Sequence, residues 1–149
     1  WEIEAAAAIY RERNPNLTVE IGVYYGGSLL HWLQNGDGTV IGIDPEPRVD
    51  FVHPRLTILP MTGAEALGKI PGPVDWLFID AMHDYESVRW DFDHFGPLVR
   101  PGGVIGLHDI VTPDCGVPRL WREIQAAGYV TQELLAANTH QGGIGLVYV

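Results

Sequence analysis

The feature that most restricts the fold is an alternation of strand-like and helix-like segments along most of the chain. Apolar, β-branched runs predict strands, and they cover residues 17–23, 39–44, 56–61, 74–81 and 102–109. Helical spacing of apolar residues predicts helices between and beside them, at residues 2–13, 27–35, 63–70, 84–96 and after Pro118. Because the links are short, this alternation predicts a mostly parallel sheet with helices on both faces.

The last part of the chain departs from this alternation, because two strand-like segments follow one another. They cover residues 129–137 and 142–149, and a short polar turn, residues 138–141, joins them. Such a hairpin adds an antiparallel edge strand to the sheet. We therefore predict one doubly wound α/β domain over residues 1–149, with an N-terminal helix within 1–16, about seven strands and a C-terminal antiparallel hairpin.

Composition excludes several classes of partner. The chain has 19 acidic and 9 basic residues and a net charge of −10, which disfavours nucleic acids and anionic membranes. No apolar run approaches the roughly 20 residues that span a bilayer, and no signal peptide is visible. The single cysteine, Cys115, excludes an intramolecular disulfide. We expect a cytoplasmic protein, and the sequence leaves a homo-oligomer open.

The first strand ends in a glycine-rich turn, "EIGVYYGGS". Gly22 and Gly26 are four residues apart, and Gly27 follows them. Glycines there let the backbone turn tightly and approach a ligand, and the next helix offers free N–H groups to an anion. A plain strand-to-helix turn has the same pattern. The spacing G-x-x-x-G-G differs from the G-x-G-x-x-G fingerprint of NAD-binding proteins.

The second strand ends in "IGIDPEP", where Asp44 lies 22 residues after Gly22. An acid at that distance is well placed to accept hydrogen bonds from ribose hydroxyls. Alone, Asp44 could equally be a surface acid or a helix cap. Together with the glycine turn, it favours nucleoside binding.

Acids and histidines follow the fourth and fifth predicted strands, which are neighbours in this topology. They are Asp80, His83 and Asp84 after one strand, and His108 and Asp109 after the other. Carboxylates with imidazole can hold a divalent metal or act as a general base. For Asp84 we favour a simpler role as the cap of the next helix. Asp80 and Asp109 directly end buried strands, where an unpaired charge is costly.

These segments together resemble class I S-adenosylmethionine-dependent methyltransferases over nearly the whole chain. "VEIGVYYGGS", "IGIDPEP" and "VDWLFIDAMHDYE" are similar to motifs I, II and IV, and "LVRPGGVIGLHDI" is similar to the segment that ends strand 5. The run from 75 to 110 is especially similar to small O-methyltransferase-like proteins. That subfamily includes proteins labelled cephalosporin hydroxylase and macrocin-type O-methyltransferases. The resemblance implies a Rossmann-like sheet.

The resemblance also implies S-adenosyl-L-methionine as the cofactor. Glu20 and Gly22 would contact its methionine part, Ser28 would lie near its carboxylate, and Asp44 would hold its ribose. The full implied set of cofactor-binding residues is Glu20, Gly22, Val23, Tyr24, Gly26, Ser28, Asp44, Pro45, Met61, Thr62, Gly63 and Asp80.

Two positions depart from the family pattern. Before "AEAL" the family usually has G-D-S, whereas this chain has "MTG", so Thr62 replaces an acid expected to contact the adenine amine. In metal-dependent relatives, an acid after strand 4 and an acidic pair after strand 5 bind Mg²⁺. Here the corresponding residues are Asp80, His108 and Asp109, and the histidine makes Mg²⁺ less favoured and leaves open another divalent metal or none.

The predicted reaction is methyl transfer to an oxygen of a small hydroxylated molecule, with Asp80, His83 and His108 as catalytic candidates. The acceptor's proton would pass to His83 or His108, or a metal would lower the pKa of the hydroxyl. A domain that binds S-adenosylmethionine without turnover, as a binding or assembly module, is the alternative. A nicotinamide oxidoreductase is disfavoured by the glycine spacing.

Overall fold

One sheet with helices on both faces organises the chain. The computed structural model describes residues 1–137 and 140–149 and shows seven strands among them. The strands are β1 Leu17–Ile21, β2 Thr39–Ile43, β3 Leu56–Leu59, β4 Val74–Ile79, β5 Val99–His108, β6 Val130–Leu134 and β7 Ile144–Tyr148. The helices are α1 Glu2–Arg13, α2 Gly27–Asn35, α3 Gly63–Ala66, α4 Tyr85–Phe95 and α5 Val117–Ala126.

The strand order is β3-β2-β1-β4-β5-β7-β6. β1 to β5 pair in parallel, and β7 is antiparallel to both β5 and β6. This confirms the predicted fold class. The antiparallel strand is not at the edge, however, because β7 lies between β5 and β6. Residues 138 and 139 of the predicted turn lie outside the described residues.

Side-chain burial explains why β7 takes the inner position. Its sequence "IGLVY" is apolar and buried along almost its whole length, whereas "VTQEL" in β6 is mostly exposed. An inner strand is covered on both faces and favours continuous apolar residues, while an edge strand tolerates polar ones. The hairpin therefore inserts its more apolar arm against β5.

Different helices cover the two faces of the sheet. α1 and α2 cover one face around a cluster of buried aromatic side chains that includes Tyr10, Trp32 and Trp76. α4 and α5 cover the other face. Among the described residues, none of the helices has the length and apolar character needed to cross a membrane. The core thus lies in two layers, one on each face of the sheet. The carboxyl ends of the strands, where the candidate site lies, open between these layers.

A buried carboxylate organises the amino end of the sheet. Asp75, at the start of β4, accepts hydrogen bonds from the backbone amides of Asn16 (2.9 Å) and Leu17 (2.8 Å), and the Arg100 guanidinium donates to its other oxygen. Burial alone would raise the pKa of Asp75, but the Leu17 amide and Arg100 outweigh it and hold that pKa below its usual value. The charge is therefore fully paired at this end.

Candidate cofactor and catalytic site

The glycine turn after β1 sits directly against the segment that follows β4. Gly22 has φ 85°, and a Cβ on it would come within 2.1 Å of the carbonyl oxygen of Asp80. Glycine is therefore required for both the backbone conformation and the close approach. Gly26, with φ 80°, precedes the first residue of α2. These two turns bring the loops after β1 and β4 together at the carboxyl end of the sheet.

Glu20 is completely buried beneath this turn. Its two carboxyl oxygens accept hydrogen bonds from the Ser28 hydroxyl (2.5 Å) and from the Trp32 indole N–H (2.5 Å). Burial raises the pKa of Glu20 to about 8, although both hydrogen bonds act in the opposite direction. In this position the side chain holds the start of α2 against β1. Its contact with the methionine part of a cofactor stays a prediction.

Asp44, after β2, fixes the shape of the same turn. One carboxylate oxygen accepts hydrogen bonds from the amides of Val23 (3.0 Å) and Tyr24 (2.9 Å), and the other accepts one from the Glu46 amide (2.8 Å). Tyr24 has φ 45°, a left-handed conformation that is uncommon outside glycine. Asp44 therefore supports the loop as well as facing the cavity described next.

A cavity of about 680 Å³ lies at the carboxyl ends of β1, β2, β3 and β4. It brings together most of the residues that were predicted to bind the cofactor: Gly22, Tyr24, Asp44, Pro45, Met61, Thr62, Gly63 and Asp80. The sequence reasoning missed a second group of lining residues, from the segment after β4 and from α4: Ala81, Met82, Glu86, Ser87, Trp90 and Asp91. The spacing of Val88, Asp91 and Phe95 on one helical face was the available signal, because it places an acid among core residues.

Thr62, which replaces an acid of the family pattern, is engaged in a local capping motif. Its hydroxyl donates a hydrogen bond to a Glu65 carboxylate oxygen (2.8 Å), and the same oxygen accepts one from the Thr62 amide (2.9 Å). This capping box begins α3. The polar groups of Thr62 thus stabilise a helix start beside the cavity.

A second cavity, of about 530 Å³, lies beside the first and shares Gly22, Tyr24 and Asp80 with it. The start of α1 lines this cavity through Trp1, Glu2 and Ile3, and the loop after β1 and α2 contribute Tyr25, Ser28 and His31. The rings of Tyr24 and Tyr25 meet edge to face with centroids 4.3 Å apart and are more than half exposed. Asp80 therefore lies at the junction of two neighbouring cavities.

His108, at the end of β5, is surrounded by carboxylates. Its Nδ1 lies 3.2 Å from an Asp80 oxygen and 3.4 Å from an Asp109 oxygen, and its Nε2 lies 3.2 Å from a Glu2 oxygen. Burial alone would lower the pKa of His108, but Asp80, Asp109 and Glu2 raise it to about 9. At neutral pH the ring is an imidazolium held between acids from α1 and from the ends of β4 and β5.

His83 makes a different contact with the same group of acids. Its Nε2 lies 2.8 Å from Asp109 Oδ2 and 3.9 Å from Asp80 Oδ1, and half of its side chain is exposed. Asp109 is itself fixed by the Thr112 hydroxyl, which donates to its second oxygen (2.5 Å). The Asp109 carboxylate therefore orients the His83 ring, in the manner of an acid that orients a catalytic base.

The predicted metal ligands do not fit together as a metal site in this geometry. A histidine ligand needs a lone pair on the coordinating nitrogen, and both ring nitrogens of His108 face carboxylates as donors. Asp80, His83 and Asp109 offer one ligand atom each within 4.8 Å of one another. Within this group the Nε2 of His83 is already paired with Asp109, and His108 supplies positive charge beside the acids.

Residues 19–110 match a family model described as a methyltransferase domain. No curated protein sequence matches the chain. An O-methyltransferase from Bacillus cereus in complex with SAH is similar in structure, with a TM-score of 0.75 and 18% identity over 99% of this chain and 80% of that one. TomG is an O-methyltransferase from Streptomyces achromogenes involved in tomaymycin synthesis, and its structure is in complex with SAM. It has a TM-score of 0.76 and 17% identity, over 99% of this chain and 79% of TomG. A putative caffeoyl-CoA O-methyltransferase from Staphylococcus aureus has a TM-score of 0.77 and 17% identity over 99% and 82%.

Proposed function

This chain belongs to the methyltransferase-domain family that its residues 19–110 match, and we propose that it transfers a methyl group from S-adenosylmethionine to a hydroxyl oxygen of a small molecule. The observation that carries the proposal is the 680 Å³ cavity, which gathers eight of the predicted cofactor-binding residues from the ends of four parallel strands. In open α/β sheets, ligands bind at this edge. The Bacillus cereus and Streptomyces structures, which hold SAH and SAM, support the choice of cofactor.

The residues present suit this cofactor. Gly22 lets the turn after β1 lie directly against the backbone after β4 and lines the cavity, and Asp44 offers carboxylate oxygens to ribose hydroxyls. Met61 and Thr62 offer apolar surface for the adenine ring. When bound, S-adenosylmethionine supplies an electrophilic methyl group on a sulfonium sulfur.

The chain's own contribution to the chemistry is to position the acceptor and to remove its proton. We assign proton removal to His83, because Asp109 orients its ring, half of its side chain is exposed, and its Nε2 lies 3.9 Å from Asp80, which lines both cavities. His108 is not suited to this role, since it holds its own proton between three carboxylates. With the cofactor bound, the acceptor oxygen would take its methyl group and S-adenosylhomocysteine would be the leaving product, while His83 would accept the hydroxyl proton.

The smaller cavity is the proposed site of the acceptor and of the methionine end of the cofactor, since Val23 and Ser28 of the predicted cofactor set line it. It adjoins the larger cavity at Asp80, so an acceptor there would lie beside the methionine end of the cofactor. The exposed rings of Tyr24 and Tyr25 offer a surface for a flat or hydroxylated molecule. Trp1 and Glu2 bound the same space from the start of α1.

A screen of hydroxylated small molecules tests the proposal, with release of S-adenosylhomocysteine as the readout and with and without EDTA. For an accepted substrate, His83→Ala should lower kcat by about 100-fold or more, in the usual range for a lost general base. His53→Ala, a change of the same type in the segment before β3, should leave kcat unchanged. Cofactor binding without turnover for any acceptor would favour the binding-module alternative. Unchanged turnover in both His83→Ala and Asp109→Ala would refute the catalytic assignment.

A further inference from the structure

Asp91 is an acid in an unexpected place. It lies on α4 between Val88 and Phe95, on the face that packs against the sheet, and only 8% of it is exposed. Acids on such a face are rare, because removing a carboxylate from water is costly unless donors replace the water. A buried acid of this kind calls for an explanation.

The protein does not supply donors for this carboxylate. Within residues 1–137 and 140–149, no group forms a hydrogen bond or an ion pair with the Asp91 side chain. Burial accordingly raises the pKa of Asp91 to about 6; the nearby His94 acts in the opposite direction, and Asp84 adds to the rise. This contrasts with Asp75, which is equally buried and has three donors.

The carboxylate faces the larger cavity. Asp91 lines that cavity, and its Oδ1 lies 3.1 Å from the point that a Cβ on Gly63 would occupy. It therefore stands at the end of the cavity formed by Met61, Thr62 and Gly63, beside the ring of Trp90. A ligand group that carries N–H donors at this end would give the carboxylate the partners that it lacks.

The neighbouring segment does not offer such an acceptor of its own. The Thr62 hydroxyl donates its hydrogen to Glu65, and the Glu65 carboxylate is turned back onto the Thr62 amide. Both groups are committed to the start of α3. α4 contributes two carboxylates to the cavity lining, Glu86 and Asp91, and Asp91 is the buried one, whereas Glu86 is exposed to water.

We propose that Asp91 recognises the exocyclic amine of the cofactor's adenine, so that this acceptor comes from α4 instead of from the segment after β3. This rests on the proposed function, because it takes the adenine of S-adenosylmethionine as the occupant of this end of the cavity. A buried carboxylate that accepts from the amine rejects a purine carrying a carbonyl there, since two acceptors would then face each other. Asp91 thus sets the specificity for adenine.

The test compares two ligands by isothermal titration calorimetry, so that no methyl acceptor is needed. They are S-adenosylhomocysteine and S-inosylhomocysteine, in which a carbonyl oxygen replaces the amine. The wild-type protein should bind the adenosine compound at least about 100-fold more tightly. In Asp91→Asn the preference should fall to within about threefold, because the carboxamide can donate to the carbonyl. Asp93→Asn, the same change two residues along α4 at an exposed position, should keep the full preference.

Three outcomes of this titration would contradict the role of Asp91. A wild-type protein that binds both ligands equally refutes the role of Asp91, and this measurement needs no variant to fold. An Asp91→Asn variant that keeps the wild-type preference also refutes it, while the proposed function stands. A wild-type protein that binds neither ligand refutes the proposed function, and this inference with it.

Discussion

The two ends of the sheet treat buried carboxyl groups in opposite ways. Asp75, at the amino end of β4, has three donors and a lowered pKa. Glu20, near the carboxyl end of the neighbouring strand β1, has two uncharged donors and a pKa raised to about 8. One end stabilises a charge, and the other suppresses it. Perturbed acids that stability alone does not explain are typical of ligand-binding edges.

Other groups at the carboxyl end of the sheet also have strongly shifted pKa values. Asp91 has a raised pKa without a described donor, and His108 is an imidazolium among three carboxylates. At the amino end, by comparison, Arg55 donates to the carbonyl oxygens of Leu33, Gly36 and Gly38 and closes α2 onto the strand that follows it. The polar groups of the amino end therefore stabilise the fold with ordinary charges, while those of the carboxyl end have shifted pKa values.

The largest expected effect concerns the amino end. Asp75→Ala would leave the Asn16 and Leu17 amides without an acceptor, and we expect it to lower the free energy of unfolding by about 4 kcal/mol. Because the folded-state pKa of Asp75 is lowered, its stabilisation is present above the usual aspartate value of 3.8 and is lost as the pH falls through the lower folded value. Urea denaturation at pH 7 and pH 3 measures both points. Asp50→Ala, at an exposed site, serves as the control, and a loss below about 1 kcal/mol for Asp75→Ala would contradict the comparison.

Glu20→Gln should show the opposite pH dependence. The folded-state pKa of Glu20 is raised, so its stabilisation is present below about 4.5 and is lost as the pH rises towards 8. Glutamine does not titrate, and its oxygen can accept from the Trp32 N–H while its NH2 group donates to the Ser28 hydroxyl. The variant should therefore gain about 3 kcal/mol over the wild type between pH 5 and pH 8. Urea titrations across this range measure the gain, with the exposed Glu12→Gln as control. A difference that does not change with pH would refute the suppressed charge.

Asp91→Asn should stabilise the protein by a smaller amount. Its folded-state pKa is raised from 3.8 to about 6, so the wild type loses stability as the pH rises through this window. We expect a gain of about 2 kcal/mol at pH 8, where burial disfavours the charged carboxylate, and almost none at pH 4, where the buried carboxyl group is protonated. Thermal melts at the two pH values, with Asp93→Asn as the matched variant, would reveal the difference. Equal melting temperatures for wild type and Asp91→Asn at pH 8 would count against an unpaired carboxylate.

The smallest expected effect is that of divalent metals. Because His108 lies between the carboxylates of Asp80, Asp109 and Glu2, adding Mg²⁺ or EDTA should shift the melting temperature by no more than about 1 °C. Methyl transfer to an accepted substrate should likewise change less than about twofold. Differential scanning fluorimetry measures the first quantity. A clear stabilisation by Mg²⁺ that Asp80→Asn abolishes would instead place the metal at the predicted residues.

Much of the fold was predictable because local patterns carry it. The bounds of α1 and α2 agree with those predicted from helical spacing, and Asp84 caps α4 as favoured, with its carboxylate accepting from the Ser87 amide at 3.0 Å. The place of β7 was not predictable in the same way. Strand neighbours are chosen by burial over the whole sheet, and the local pattern identifies a hairpin without saying which arm faces β5.

Part of the candidate site was predictable, because ligands of open parallel sheets bind at the carboxyl ends of the strands. Asp44, Asp80 and Asp109 lie at this edge, because each follows a buried parallel strand. The Glu2–His108 contact joins residues 106 positions apart, and only tertiary packing of α1 creates it. The hydrogen bonds of Glu20 to Ser28 and Trp32 were not predictable from local pattern, because the next helix brings both partners beneath the turn.

The position of β7 also sets an order of events during synthesis. β7 comes later in the chain than both of its neighbours, so β5 and β6 have emerged from the ribosome before the strand that joins them. Until residues 144–148 follow, β5 presents an open edge of unpaired backbone groups, the kind of surface to which other chains add strands. A stalled or truncated product that ends before β7 should therefore be the form of this protein most prone to aggregate and most dependent on chaperones.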